Sequence, residues 1–273
     1  MNAELLNAGF LGTLGLAGLL GFRHGFDADH IAVVDGMTRS RQLHGNYWTA
    51  RLVGLQFAAG HGATILVAAL LLMGQTSALP RWLDGLGVVI SIVLLLVIAG
   101  SNAAHALVPA QHGVRPLGPV AALLFRITGR ELHPALVGVA FALSMDSLAQ
   151  AVLFASHGAG VDAGSRAAAV ALLAAVFGLG MMAADAGNGL LLAWFAQRSD
   201  GLARQASRFS SAFIALVAVA TAAGVVLRET RSGFAQAWEL AGIWTGVGLV
   251  LLTSLVYAVR LLQQRARGAG AAR

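Results

Sequence analysis

The chain is built on runs of about 20 apolar residues, the length a helix needs to cross a hydrocarbon core of roughly 30 Å. Seven such stretches can be read, at about 4–36, 48–73, 83–108, 134–156, 166–196, 208–227 and 238–261. Backbone N–H and C=O groups have no water to bond in lipid, so stretches of this length read as helices. The expected fold is all-α: a single polytopic transmembrane helix bundle over residues 1–273, with about seven membrane helices. Segments one and five are longer than a straight crossing requires, and both contain Gly and acidic residues. They are therefore expected to be kinked or broken.

Composition closes off the soluble alternative. Hydrophobic residues make up 58% of the chain and charged residues 11%, against about 25% charged in an ordinary soluble domain. Mean hydropathy is +0.76. The 34 glycines fit a bundle in which small residues let helix backbones approach. Gly9, Gly12, Gly15, Gly18 and Gly21 recur every third residue, which reads as a packing groove, with a flexible hinge as the alternative.

With no cysteine in the chain, disulfides, thiolate metal sites and cysteine nucleophiles are excluded. Any transition metal must be held through nitrogen and oxygen. The net charge of +6 comes with arginine as the sole strongly basic residue. In so apolar a chain that excess marks membrane orientation, not nucleic-acid binding.

Thirteen arginines lie in the connections after segments one, three and five and in the tail, against four in the intervening connections. The alternation predicts a multi-pass protein of the cytoplasmic membrane with its N-terminus outside and its C-terminus in the cytoplasm. The first ten residues lack the basic start of a cleavable signal peptide.

Chemistry is concentrated in Arg23-His24-Gly25-Phe26-Asp27-Ala28-Asp29-His30-Ile31. An ionised Asp at mid-membrane costs about 2.5–3.5 kcal/mol even on a lenient scale, so this cluster must face partners, water or a cation. In a regular helix His24, Asp27 and His30 share a broad face, while Asp29 points about 100° from His30. Gathering all four on one ion requires local unwinding, for which Gly25 is the natural place. The bland alternative is a pair of His–Asp hydrogen bonds joining helices.

Other polar groups inside segments are His61, flanked by Gly60 and Gly62, and the intramembrane acids Asp146 and Asp185, which are functional candidates by default. Asn188 is a candidate for orienting a ligand. Asp35 is expected at a solvated helix end, and Asn102 with His105 as polar glue. Met145, Met181 and Met182 read as packing, and Trp48, Trp82, Trp194, Trp238 and Tyr47 as interfacial anchors.

The histidine motif resembles that of the nickel/cobalt transporter permeases, whose signature is His-x4-Asp-His. His24, four residues and Asp29-His30 match it within the fuller run from Arg23 to Ile31. The family's Gly-His-Ser/Thr motif is approached by Gly60-His61-Gly62-Ala63-Thr64, and its Gly-Phe-Asp-Thr stretch by Ser144-Met145-Asp146-Ser147. Gly180-Met181-Met182-Ala183-Ala184-Asp185-Ala186-Gly187-Asn188-Gly189 resembles its fourth motif.

Gln150 and Asn188 stand where the pattern has acids, Ala186 stands where it has Thr, and the signature lies in the first segment, not the second of eight. The chain thus looks like a shortened, divergent member. The resemblance implies a transporter, not an enzyme, with Ni²⁺ or Co²⁺ as transported substrate and no permanent cofactor. His24, Asp29 and His30, with Asp27 and His61, are then the expected metal ligands. Asp146, Asp185, Asn188 and Ser147 are expected along the ion path or behind the ligands.

A membrane potential of about 100 mV, inside negative, would favour uptake of a divalent ion by roughly 4.6 kcal/mol. No Gly-x4-Gly-Lys-Ser/Thr nucleotide loop is present. Protonation of the ligands should weaken binding at acidic pH. Three rivals remain at this point: export by the same architecture, an intramembrane metalloenzyme, and a proton-coupled carrier of a small organic solute.

Overall fold

A computed structural model of the protein describes residues 8–43, 45–73, 81–107, 133–158, 161–196 and 202–230. Every regular element among them is an α-helix. In chain order these are α1 (Ala8–His24), α2 (Ala28–Leu43), α3 (Tyr47–Arg51), α4 (Val53–Leu72) and α5 (Arg81–Leu107). They are followed by α6 (Pro134–Phe141), α7 (Met145–Gly158), α8 (Ala163–Ala196) and α9 (Leu202–Thr230). Expected segment seven lies outside the described residues.

Among the described residues three helices are long and apolar enough to cross a bilayer: α4, α5 over Gly85–Ala104, and α8 over Ala163–Leu191. The pair α6–α7 makes a fourth if it counts as one crossing, and it is bent by 71°. A shorter apolar stretch, Ser211–Leu227, lies in α9. The protein is therefore a multi-pass helical bundle. Large apolar side chains such as Leu16, Leu71, Leu136, Leu179 and Leu216 face outward from it, as a hydrocarbon surround requires.

Segment one is broken, as expected, and at Gly25. The break is tight: Phe26 N–H donates to the Arg23 carbonyl at 2.9 Å and Asp27 N–H to that of His24 at 3.0 Å. These are the i→i−3 bonds of a 3₁₀-like turn. Segment five is different. It is one uninterrupted 34-residue helix, α8, and the second break falls in segment four, between α6 and α7.

At the far end of α2, Gly45 takes φ +77°. Gly45 N–H bonds Gln42 and Asn46 N–H bonds Arg41, the paired bonds of a Schellman close that glycine accommodates without strain.

The long helix α8 is the central pillar, packed by α1, α2, α4 and α7, while α5 and α9 pair with each other. The closest crossings are made by glycine. Gly21 backs directly onto the Phe177 backbone, Gly180 onto the Gly18 carbonyl, Gly60 onto the Ala135 carbonyl, and Gly138 onto the Phe57 carbonyl. No Cβ would fit at these places, which is the reason small residues sit there. Among the described residues the groove expected along α1 is used at its C-terminal end, and Gly12 and Gly15 have no neighbour.

One buried cluster, with Phe57, Ile98, Phe141 and Ile214, fills the α2–α4–α5–α9 side. Another, with Ile65, Phe154, Leu173 and Phe177, fills the α1–α4–α7–α8 side.

Candidate metal centre

Between these two apolar clusters lie three histidines. His24 ends α1, His30 begins α2 and His61 sits in the middle of α4. All three are buried, His30 at 0% and His61 at 1% exposure. Their ring centroids are 4.6 Å (His24–His30), 4.8 Å (His30–His61) and 5.4 Å (His24–His61) apart. The break at 25–27 makes this meeting possible, because it lets His24 and His30 approach from two helices instead of spiralling apart on one.

Each ring is held through one nitrogen. His24 Nδ1 lies 2.8 Å from Asp27 Oδ2, His30 Nδ1 3.1 Å from Asp185 Oδ2, and His61 Nε2 2.9 Å from Ser147 Oγ. The Ser147 hydroxyl in turn meets Ser144 Oγ at 3.1 Å. Carboxylates only accept, so His24 and His30 donate from Nδ1 and turn a lone pair outward at Nε2.

The opposite nitrogens, His24 Nε2, His30 Nε2 and His61 Nδ1, are buried and have no hydrogen-bond partner among the described residues. One ligand atom from each ring lies within 4.8 Å of the others. Buried polar atoms are nearly always satisfied, and when His61 donates from Nε2 to Ser147 all three free nitrogens carry lone pairs, which repel one another at this range. A cation relieves both problems. Imidazole triads suit Ni²⁺, Co²⁺ or Zn²⁺, whereas Mg²⁺ and Ca²⁺ prefer oxygen shells.

The acids lie in different settings. Asp27 bonds the His24 ring and Asp185 the His30 ring, the carboxylate–histidine arrangement that orients imidazoles in metal sites. Asp29 Oδ1 accepts the His30 backbone N–H at 3.0 Å in the first turn of α2, where the helix dipole favours an anion. Asp146 occupies the first turn of α7 with an exposed side chain and does not join the group.

Asn188 is buried one turn beyond Asp185, with its Nδ2 unpartnered among the described residues. Asp35 is 3% exposed in the interior of α2. The expected solvated helix end is thereby corrected, for α2 runs on to Leu43. Asn102 donates to the Ile98 carbonyl of its own helix at 3.0 Å. The side chain of His105 lies outside the described residues.

Sequence reading missed the rings that wall the triad. Phe57 lies 5.0 Å from His30 and Phe177 5.6 Å from His24. A Phe four residues before His61, and another four before Met181, is a weak signal that only the geometry makes meaningful.

Fold and site together define a class: a multi-pass helical membrane protein with a buried, nitrogen-rich triad of the kind that holds a transition metal. Residues 10–104 match the model of the family described as NicO, high-affinity nickel-transport protein. That stretch contains all three histidines.

The chain is 29% identical over 208 residues to the hydrogenase nickel incorporation protein HupN of Bradyrhizobium diazoefficiens, covering 67% of this chain and 54% of that protein. It is 27% identical over 272 residues to the high-affinity nickel transport protein of Cupriavidus necator, covering 87% and 75%. It is 36% identical over 102 residues to the cobalt transport protein NhlF of Rhodococcus rhodochrous, covering 34% and 28%. The chain thus spans about half the length of the Bradyrhizobium relative. No solved structure gives a significant match. The chain is related in sequence to nickel- and cobalt-transport proteins, and the resemblance read from its motifs holds. The matched family is a transporter family, not an enzyme family.

Proposed function

We propose that this protein is a permease that carries Ni²⁺ or Co²⁺ inward across the cytoplasmic membrane, with its N-terminus outside and its C-terminus in the cytoplasm. The observation that carries the reading is the triad of unpartnered nitrogens on His24, His30 and His61 inside an apolar bundle. The three imidazoles take the ion, and Asp27 and Asp185 hold two of the rings and, when ionised, balance its two positive charges. Ser147 holds the third ring. Asn188, beyond Asp185 on α8, extends the polar surface along the ion path.

The transport names of the relatives support a metal cation as substrate, and the membrane potential supports an inward direction. The test is calorimetric titration of purified protein with NiCl₂ and CoCl₂, paired with metal content of expressing cells. Saturable binding that is lost in His24→Ala, His30→Ala and His61→Ala, with raised cell metal, is expected. Wild-type binding by all three variants would remove the site, and a lowered cell content would remove the inward direction.

A further inference from the structure

The breaks in the two broken helices correspond position for position. Helix α1 ends at His24 and α2 starts at Ala28, while α6 ends at Phe141 and α7 starts at Met145. The two breaks are thus in register, His24 with Phe141 and Ala28 with Met145. Their hydrogen bonds correspond in turn. Gly25 N–H donates to Gly21, and Ala142 N–H to Gly138, both at 3.0 Å. Phe26 bonds Arg23 and Leu143 bonds Ala140; Asp27 bonds His24 and Ser144 bonds Phe141; Ile31 bonds Asp27 and Leu148 bonds Ser144.

The helices that follow correspond too, Phe57 with Phe177 and Gly60 with Gly180. Gly21 of α1 backs onto Phe177 of α8 as Gly138 of α6 backs onto Phe57 of α4. Gly180 meets the Gly18 carbonyl as Gly60 meets that of Ala135. The ring pairs His24–Phe177 and Phe141–Phe57 are both 5.6 Å apart. The last helices of the two sets, α5 and α9, pack on each other.

The charge pattern adds a direction. The end of the first broken helix and the short helix after it hold Arg39, Arg41 and Arg51, and the counterpart region after α7 holds Arg166 alone, in the first turn of α8. The next pair is reversed, with Arg81 on one side and Arg198, Arg204 and Arg208 on the other. Arginine marks the cytoplasmic face, so equivalent connections lie on opposite faces.

We propose that the molecule is two copies of one unit, residues 8–107 and 134–230, set in opposite membrane orientation. The first helix of each is lodged against the other copy. Resting on the metal reading above, the ion site lies at their junction and is asymmetric. The first copy supplies His24, His30 and His61, while the second has Phe141, Ser147 and Met181 at the corresponding positions. Its contribution is to hold rings: Asp185 and Ser147 reach across the junction to His30 and His61. Rocking of one copy against the other disturbs both bonds together, so opening to a new side and loosening of the ion are one movement, the logic of inverted-repeat transporters.

The absence of native cysteine makes the test direct. Single variants Asn46→Cys and Asp162→Cys, in the equivalent connections, are labelled with a membrane-impermeant maleimide on intact cells and on inverted vesicles. Labelling from opposite faces is expected; labelling from one face overturns the inversion, whatever the metal titration gives.

The pairs Gly18→Cys with Val176→Cys, which are in contact, and Gln56→Cys with Ala135→Cys, their counterparts, are then joined by a bifunctional thiosulfonate. Both pairs are expected to link, and each link to abolish Ni²⁺ flux into vesicles with calorimetric Ni²⁺ binding retained. Failure of the second pair to link overturns the equivalence, and full flux with both links in place overturns the rocking.

Discussion

At the residue scale the proposed centre rests on dividing each imidazole into a held nitrogen and an offered one. Loss of an orienting partner frees the ring to rotate and to change tautomer, and such losses typically cost about 10–100-fold in metal affinity. Asp185→Asn retains the shape and an acceptor oxygen but removes a negative charge. It is expected to weaken Ni²⁺ binding by about 100-fold, the upper end of that range, in calorimetric titration. Ser147→Ala removes one neutral hydroxyl and is expected at the lower end, about 10-fold; equal losses in the two variants would contradict the charge-matching argument. The histidines were legible in sequence because imidazole among apolar residues stands out. The roles of the acids were not. Asp29 is adjacent to His30 in the motif yet turns to the start of α2, while His30 takes its partner 155 positions away, a distance that motif spacing does not reveal.

At the element scale the histidines meet because two helices break and because glycines let backbones touch. Adding a methyl at Gly21 or Gly138 drives it into a facing backbone, which has no flexible end to move aside. Gly21→Ala and Gly138→Ala are each expected to destabilise the fold by about 1–3 kcal/mol, read as a lowered melting temperature in detergent. Gly12→Ala and Gly15→Ala point into open space and should stay within about 0.5 kcal/mol of the parent. A uniform loss across all four would mean the whole α1 stripe is packed. The break in segment one was legible because Gly25 sits among acids in an apolar run. The break in segment four was not, since Ala142-Leu143-Ser144 carries no Gly or Pro. Segment five looked broken because of Asp185 and Asn188, yet α8 stays whole. Asp185 is bonded by His30, and the glycine-lined faces of α8 pack close against α1 and α4, so neither polar residue forces the backbone open.

At the scale of the whole molecule the bundle gives an ion a path whose energetics the membrane sets. A divalent cation crossing about 100 mV, inside negative, gains roughly 4.6 kcal/mol, which at 1.36 kcal/mol per tenfold is an accumulation of about 10³-fold. The all-helical fold and its apolar surface were legible because hydropathy is a local property of sequence. The duplication was not, because its ligand positions have diverged to Phe141, Ser147 and Met181 and only scattered residues such as Asp29 and Asp146 still match. The proposed inward permease needs no ATP. Purified protein in vesicles with a potassium diffusion potential, inside negative, should take up ⁶³Ni²⁺, and collapsing the potential should cut the plateau by orders of magnitude. Reversing it should drive preloaded ⁶³Ni²⁺ out. Uptake to the same plateau with and without a potential would show that another gradient supplies the drive, and the charge of the ion would then no longer explain the direction of transport.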